Sequence, residues 1–256
     1  MTITNVELEQ ILNTKLNSSA INDYAPNGLQ VEGKREIRKI ITGVTASLPL
    51  IEKAIEKNAD AILVHHGYFW KSENPCIRGM KGKRIKQLLV HNINLFGYHL
   101  PLDIHPELGN NAQLAKHLGV GNLQGLENSP NSIPMYGELE TPISAEELKQ
   151  KLEKTLQRTV ILCNEFVSHP QKMIKKIGIC SGGGQGYIDL AFEKGCDAFI
   201  SGEISEQTTH SAREQGIYYF ACGHHATERD GVKALGEWLA EHYKLEVEFI
   251  DIDNPA

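Results

Sequence analysis

Residues 39–67, KIITGVTASLPLIEKAIEKNADAILVHHG, align without a gap on residues 176–204, KIGICSGGGQGYIDLAFEKGCDAFISGEI. Eight of the 29 positions are identical: Lys39/Lys176, Ile40/Ile177, Ile51/Ile188, Ala54/Ala191, Glu56/Glu193, Lys57/Lys194, Asp60/Asp197 and Ala61/Ala198. The apolar pattern extends the match, with Ile62-Leu63 over Phe199-Ile200. Each copy runs from a β-branched stretch through a turn and an amphipathic helix into a buried strand. In the first copy these are Lys39–Val44, Pro49–Lys57 and Ala61–Val64; in the second, Lys176–Cys180, Gly186–Lys194 and Ala198–Ser201. Self-similarity of this kind predicts an internal duplication.

The parallel continues through a polar helix into another strand, Arg84–His91 then Ile93–Gly97, and Gln207–Gln215 then Ile217–Ala221. The first copy carries about a dozen extra residues, Trp70–Arg84, a surface loop holding Pro75 and two glycines. Strand-helix-strand alternation implies right-handed crossovers and parallel sheets, so the fold class is α/β with two related lobes. Thr4-x-x-Glu7 and Ser144-x-x-Glu147 are capping boxes, opening helices that run through Leu16 and Leu156. The Asn-, Gly- and Pro-rich segment Gly121–Pro134 reads as a linker. The division expected is a first lobe over residues 1–124, a connecting segment over 125–170 and a second lobe over 171–256. A helix is expected around Val232–Tyr243, then a strand over Leu245–Ile252. In that strand Leu245, Val247 and Phe249 alternate with glutamates, and the apolar face switches at Ile250 and Ile252. It could pair with either lobe.

At 256 residues, 41% hydrophobic and 23% charged, the composition is that of a globular protein and excludes disorder as the main state. A net charge of −6 argues against a general nucleic-acid surface, which needs a basic face to release phosphate counterions. No apolar run approaches the ~18 residues of a membrane span, and Met1–Asn5 lacks a signal peptide's basic and apolar regions. Five widely spaced cysteines with no Cys-x-x-Cys pair fit reduced thiols in a cytoplasm.

Parallel sheets place ligand sites at the carboxyl ends of their strands. Here all four such ends deliver His, Asp or Glu: His65-His66-Gly67, His99-Leu100-Pro101-Leu102-Asp103, Gly202-Glu203, and Gly223-His224-His225-Ala226-Thr227-Glu228. Adjacent residues on an extended chain point in different directions, so His65 and His66 suit two ions better than one, at the ~3.5–4 Å separation of two-metal hydrolytic sites. Glu228 follows His224 by four residues and His225 by three, so either imidazole can share its helical face. Imidazole with carboxylate suits Fe, Zn, Mn or Ni, and the lack of cysteine weakens a structural zinc reading. Lone histidines such as His91, His117, His169 and His242 read as surface or satisfied core, and Thr227-x-x-Asp230 as a helix cap. Ser181–Gly186 either cradles an anion with backbone N–H groups or is a tight turn between strand and helix. It is neither a Walker loop nor a clear dinucleotide fingerprint.

These motifs resemble the GTP cyclohydrolase I type 2 homologues, the Nif-three-like dinuclear metal proteins. The resemblance runs almost end to end. It covers Asp23-Tyr24-Ala25-Pro26-Asn27-Gly28-Leu29-Gln30-Val31, His65-His66-Gly67-Tyr68-Phe69-Trp70, Tyr98-His99-Leu100-Pro101-Leu102-Asp103, Ser181–Gly186, Ser201-Gly202-Glu203 and Gly223–Glu228. It implies two α/β lobes with a dinuclear metal site in the cleft between them. It further implies His65, His66, Asp103, His224 and Glu228 as the ligands of two divalent ions, with Glu228 bridging, and so selects His224 over His225. A homohexameric ring is implied as well, and the domain that longer relatives insert between the lobes is absent. The function expected is a metal-dependent hydrolase of a nucleotide-like or other N-heterocyclic small molecule, in the cytoplasm. His99 and Glu203 are the expected catalytic residues, for proton transfer or for orienting a ligand. Asn27 and Gln30 either read a base or position their loop. The alternative is a non-enzymatic metal-binding scaffold or metal-delivery protein.

Overall fold

Asp60 and Asp197, one of the eight shared identities, do the same work in the computed structural model of the protein, which describes residues 2–256. Asp60 Oδ2 accepts hydrogen bonds from the amides of Arg38 (2.7 Å) and Lys39 (2.8 Å); Asp197 Oδ2 accepts from Lys175 (3.0 Å) and Lys176 (2.9 Å). Each aspartate amide donates back across the strand pair, to Lys39 O or Lys176 O. Each carboxylate also pairs with a lysine, Lys34 or Lys172. The preceding helices end alike, with Asn58 and Gly195 at positive φ and the amides of Ala59 and Cys196 reaching back to Ala54 O and Ala191 O. The duplication is thus visible bond by bond.

Burial alone would raise both carboxyls; the lysine and amide hydrogen bonds outweigh it and hold both below the ordinary aspartate value. Their stabilising effect is therefore present above that ordinary value and is lost as pH falls through the lowered one. Asp60→Ala removes two charge-assisted bonds and leaves the Arg38 and Lys39 amides without that acceptor. A loss of about 3 kcal/mol is expected in urea unfolding followed by circular dichroism.

In chain order the elements are β1 (Ile3–Thr4), α1 (Asn5–Leu16), β2 (Gly28–Val31), β3 (Glu36–Ile37), β4 (Lys39–Thr45), α2 (Leu48–Glu56), β5 (Ala61–His66), α3 (Gly79–Val90), β6 (Asn94–Gly97) and α4 (Leu100–Asp103). Then come α5 (Asn110–Leu118), β7 (Val120–Gly125), β8 (Met135–Ile143), α6 (Ala145–Leu156), β9 (Ile161–Cys163), β10 (Ile174–Cys180), α7 (Ile188–Glu193), β11 (Ala198–Ser201), α8 (Glu206–Gln215), β12 (Tyr218–Ala221) and α9 (His224–Thr227). The chain closes with α10 (Arg229–Tyr243) and β13 (Glu246–Phe249). Both expected capping boxes are present, at Thr4/Glu7 and Ser144/Glu147.

Two compact units result, one of residues 1–108 and 231–253, the other of 109–230 and 254–256. The first has a sheet ordered β13-β4-β5-β6-β2, parallel except for β2. One face of this sheet packs on α1 and α10 through Leu8, Leu12, Val232 and Leu235; the other packs on α2 and α3 through Leu50, Ile51, Ile85 and Leu88. The second unit's sheet runs β7-β8-β10-β11-β12-β9, with β10, β11 and β12 parallel. Its faces carry α5 and α6 on one side, through Leu114, Leu148 and Leu152, and α7 and α8 on the other, through Ile188, Ala191 and Ala212.

This division differs from the expected 1–124, 125–170 and 171–256. Residues 109–170 supply α5, α6 and three strands of the second sheet, and Gly121–Pro134 is most of β7 and the turn that leads into its antiparallel partner β8, with an irregular register, not a linker. Turn residues mark a chain reversal equally well within a sheet or between domains, so composition could not separate the two. The terminal strand joins the first unit, with Glu246 opposite Lys39 and two ion pairs at 2.7 Å, Lys39–Glu246 and Lys57–Glu248. Its face switch is real: Val247 and Phe249 pack on the α1/α10 side, Ile250 and Ile252 on the α2/α3 side. In the extra segment of the first copy, α3 begins at Gly79, earlier than the expected Arg84.

Candidate metal centre

In the first unit β5 ends in His65 and His66. His65 is buried, with Nδ1 3.0 Å from the carbonyl of Tyr98. A carbonyl only accepts, so Nδ1 carries the proton and Nε2 keeps its lone pair. Nε2 lies 3.5 Å from Asp103 Oδ1, a buried carboxylate on α4. His66 sits opposite Thr45 in the β4–β5 register, and its Nδ1 is 3.4 Å from the Thr45 hydroxyl. His99 follows β6, with Nδ1 2.9 Å from Asp23 Oδ1. His65, His66 and His99 each offer a ligand nitrogen, all within 4.8 Å of one another, close enough to hold one ion.

Asp23 organises this corner. Its Oδ2 accepts from the Leu100 amide (2.9 Å) and from Asn27 Nδ2 (3.0 Å), while Asn27 Oδ1 accepts from the His99 amide (2.8 Å). Burial works to raise the Asp23 carboxyl, but the hydrogen bonds from His99, Asn27 and Leu100 prevail and bring it down to about 2. An anionic Asp23 fixes the His99 proton on Nδ1, as Tyr98 does for His65. Gln30 braces the other side: its Oε1 accepts from the Tyr68 amide and its Nε2 donates to Pro26 O, both at 2.7 Å. A Cβ on Gly67 or Gly97 would collide with that amide group, at 2.1 and 2.6 Å. Asn27 and Gln30 therefore position loops. Asp23 had no assigned role in the sequence reading, because nothing in local spacing links it to a histidine 76 positions away.

The second unit repeats the scheme with different residues. Its four-residue helix α9 occupies the place of α4: the amides of Asp103 and Thr227 bond back to His99 O and Gly223 O, both at 3.1 Å. His224 Nδ1 is 2.7 Å from Glu203 Oε1, and its Nε2 is 3.2 Å from Glu228 Oε2. Glu203, aligned with His66 in the duplication, thus orients His224. His225 donates its amide to Ala256 O, and Glu228 pairs with His224. Thr227 accepts the Gly182 amide at 3.0 Å and donates to Gly223 O, so it belongs to the glycine loop and not to a cap of α10.

That loop is shaped to admit the donors. Gly182 has φ +62°, and a Cβ there would stand 2.2 Å from Glu228 Oε1 and 3.1 Å from His224 Nε2. The Ser181 amide is taken by Asn111 Oδ1 at 2.8 Å. The Gly182 amide is committed as well, so the start of Ser181–Gly186 is built as a tight turn. Cys222, two residues before His224, is fully buried in apolar core, and burial pushes its thiol up, away from the thiolate a metal needs.

The donor set fits divalent ions. His65, His99 and His224 are tethered through Nδ1 to an acceptor, which is how proteins aim imidazole Nε2 at a metal, and His65 and His224 each face a buried carboxylate. In the metal-free chain the Glu228 carboxylate beside Nε2, opposed by burial and aided by Glu203, lifts His224 from 6.5 to about 9. A raised imidazole stabilises the metal-free fold fully below pH 6.5, and that stabilisation is lost as pH rises through about 9. An ion held at His224 Nε2 would have to displace this proton. Manganese affinity is therefore expected to rise about tenfold per pH unit up to about 9 and then level off, with proton release measurable by calorimetry in two buffers.

Residues 3–255 match the family model Duf34/NIF3 (NGG1p interacting factor 3). The chain is 69% identical over 254 residues to a Haemophilus influenzae protein named GTP cyclohydrolase 1 type 2 homolog, covering 99% of this chain and 100% of that one. It is 56% identical to the Escherichia coli K12 protein of the same name, covering 98% and 99%. Among solved structures, protein ybgI, described as of unknown function, superposes with a TM-score of 0.94 at 55% identity, covering 99% and 100%. TTHA1606 from Thermus thermophilus gives 0.86 at 31% identity, covering 99% and 100%. Among the described residues no helix is long and apolar enough to cross a membrane.

Proposed function

The chain belongs to the Duf34/NIF3 family, and on that footing we propose that it is a dinuclear-metal hydrolase of a nucleotide-like or other N-heterocyclic small molecule. The proposed ligands are His65, His66 and Asp103 from the first copy and His224 and Glu228 from the second, with Glu228 bridging two ions drawn from Fe, Zn, Mn or Ni. The observation that carries this reading is the tethering of His65 Nδ1 on the first copy and of His224 Nδ1 on the second, each leaving Nε2 as the donor. When bound, such a pair activates water and polarises the susceptible centre. The chain's own residues then divide the remaining work. Glu203 orients His224. His99 exchanges a proton at Nε2, with Asp23 holding Nδ1 and so the orientation of the ring. The relatives' name points to ring opening of a purine nucleotide as a special case.

The same reading includes a homohexameric ring in the cytoplasm, which native mass spectrometry and cell fractionation test. For activity, the full chain is reconstituted with each of the four metals and screened against purine and pyrimidine nucleotides and free heterocycles. Turnover that chelation abolishes and that falls at least about a hundredfold in His99→Ala is the expected outcome. Two ions retained with no turnover on any substrate would favour the metal-delivery or scaffold alternative.

A further inference from the structure

The extra segment of the first copy, which the second copy lacks, is built with more care than a surface loop needs. Phe69 holds φ +64°, an expensive conformation for a bulky side chain. It is kept there by Glu73, whose Oε2 accepts from the Phe69 amide (2.8 Å) and the Trp70 amide (3.2 Å). Lys81, itself buried, stands 3.3 Å from the same carboxylate and 4.8 Å over the Phe69 ring. Trp70 Nε1 donates to Gly67 O at 3.2 Å, which satisfies the indole's one polar group and fixes the ring.

What this bracing presents is an aromatic wall beside the candidate donors. The Trp70 ring is 5.0 Å from His99 and 5.9 Å from His66, centroid to centroid. Tyr24, 53% exposed, lies 5.7 Å from Trp70 and 5.0 Å from His99. The Lys71 amide bonds to Tyr24 O at 2.8 Å, tying the two loops together. Tyr24 follows Asp23, whose grip on His99 places the pair. An exposed tyrosine and a braced tryptophan next to two imidazoles have little reason to gather for core packing. They are what a planar ring needs in order to stack.

We infer that Tyr24 and Trp70 form the stacking subsite for the heteroaromatic ring of the substrate, and so select for planar N-heterocycles. This rests on the reading of the chain as a hydrolase of such compounds. The protein has only two tryptophans, so Trp238→Phe leaves Trp70 as the sole indole reporter in the full-length, metal-loaded chain. Guanosine and adenosine are expected to quench its emission saturably, and ribose 5-phosphate, which has no base, to leave it unchanged. Adding Tyr24→Ala should weaken the guanosine Kd about tenfold, the size of one stacking contact. By equilibrium dialysis, Trp70→Ala should weaken it at least as much, and Trp70→Phe should largely restore it. Metal content, measured on every variant, separates the two readings. Ions bound with no quenching, or an unchanged guanosine Kd in both Tyr24→Ala and Trp70→Ala, would overturn the subsite and leave the metal centre standing. Quenching in a chain that holds no ions would overturn the metal centre and leave the subsite standing.

Discussion

Glu228→Gln is expected to reduce the metal content of the full chain from the proposed two ions to one or none. Glu228 is only 3% exposed and already faces His224 Nε2 at 3.2 Å. As the proposed bridge it supplies an anion to both ions, so its neutralisation leaves two dications with less shielding at low dielectric. Glutamine keeps the shape and removes the charge, which isolates the electrostatic effect from packing. His66→Ala strips one ligand from one ion, so at least the other ion should remain. A second readout needs no metal: with its foremost cause gone, the His224 imidazole should titrate well below about 9, nearer 6.5, in proton NMR of the metal-free variant. A folded Glu228→Gln chain with both ions fully bound would make the bridging assignment wrong and Asp103 the next candidate.

Gly182→Ala is expected to damage both fold and centre, although it adds one methyl group. The backbone there has φ +62°, which costs an L-residue roughly 1–2 kcal/mol. The added carbon would lie 2.2 Å from Glu228 Oε1, so something must shift. The glycine itself is poorly able to move. Its amide donates to Thr227 Oγ1, and its carbonyl accepts from the amides of Gly202 and Glu203. The displaced group is therefore the Glu228 carboxylate, with a melting point several degrees lower and the metal content of Glu228→Gln. Gly186→Ala, four positions along the same loop, meets nothing within 4 Å and should be silent in both measurements.

Much of this architecture was legible because it is local. The capping boxes satisfy helix-end N–H groups with side chains three residues apart, and both appear where Thr4 and Ser144 place them. The duplication was legible because Asp60 and Asp197 each make the same pair of backbone bonds, a demand that keeps the residue type. The strand ends pointed to His65, His99, Glu203 and His224 because a β-α-β unit delivers such residues to one edge. The unit boundaries were not legible. Whether β13 pairs with β4 is decided by contacts about 200 residues apart, such as Lys39–Glu246. The same holds for Asp23, whose grip on His99 leaves no trace in spacing, and for Phe69, where no local rule anticipates a left-handed phenylalanine.

Crystals of the full chain grown with manganese, with anomalous differences collected at the metal's absorption edge, bear most directly on the proposed dinuclear centre. Two peaks per chain are expected, ~3.5–4 Å apart, with His65, His66 and Asp103 of the first copy and His224 and Glu228 of the second around them. A single peak held by His65, His66 and His99 alone, or no peak beside Glu228, would contradict a centre shared by the two copies.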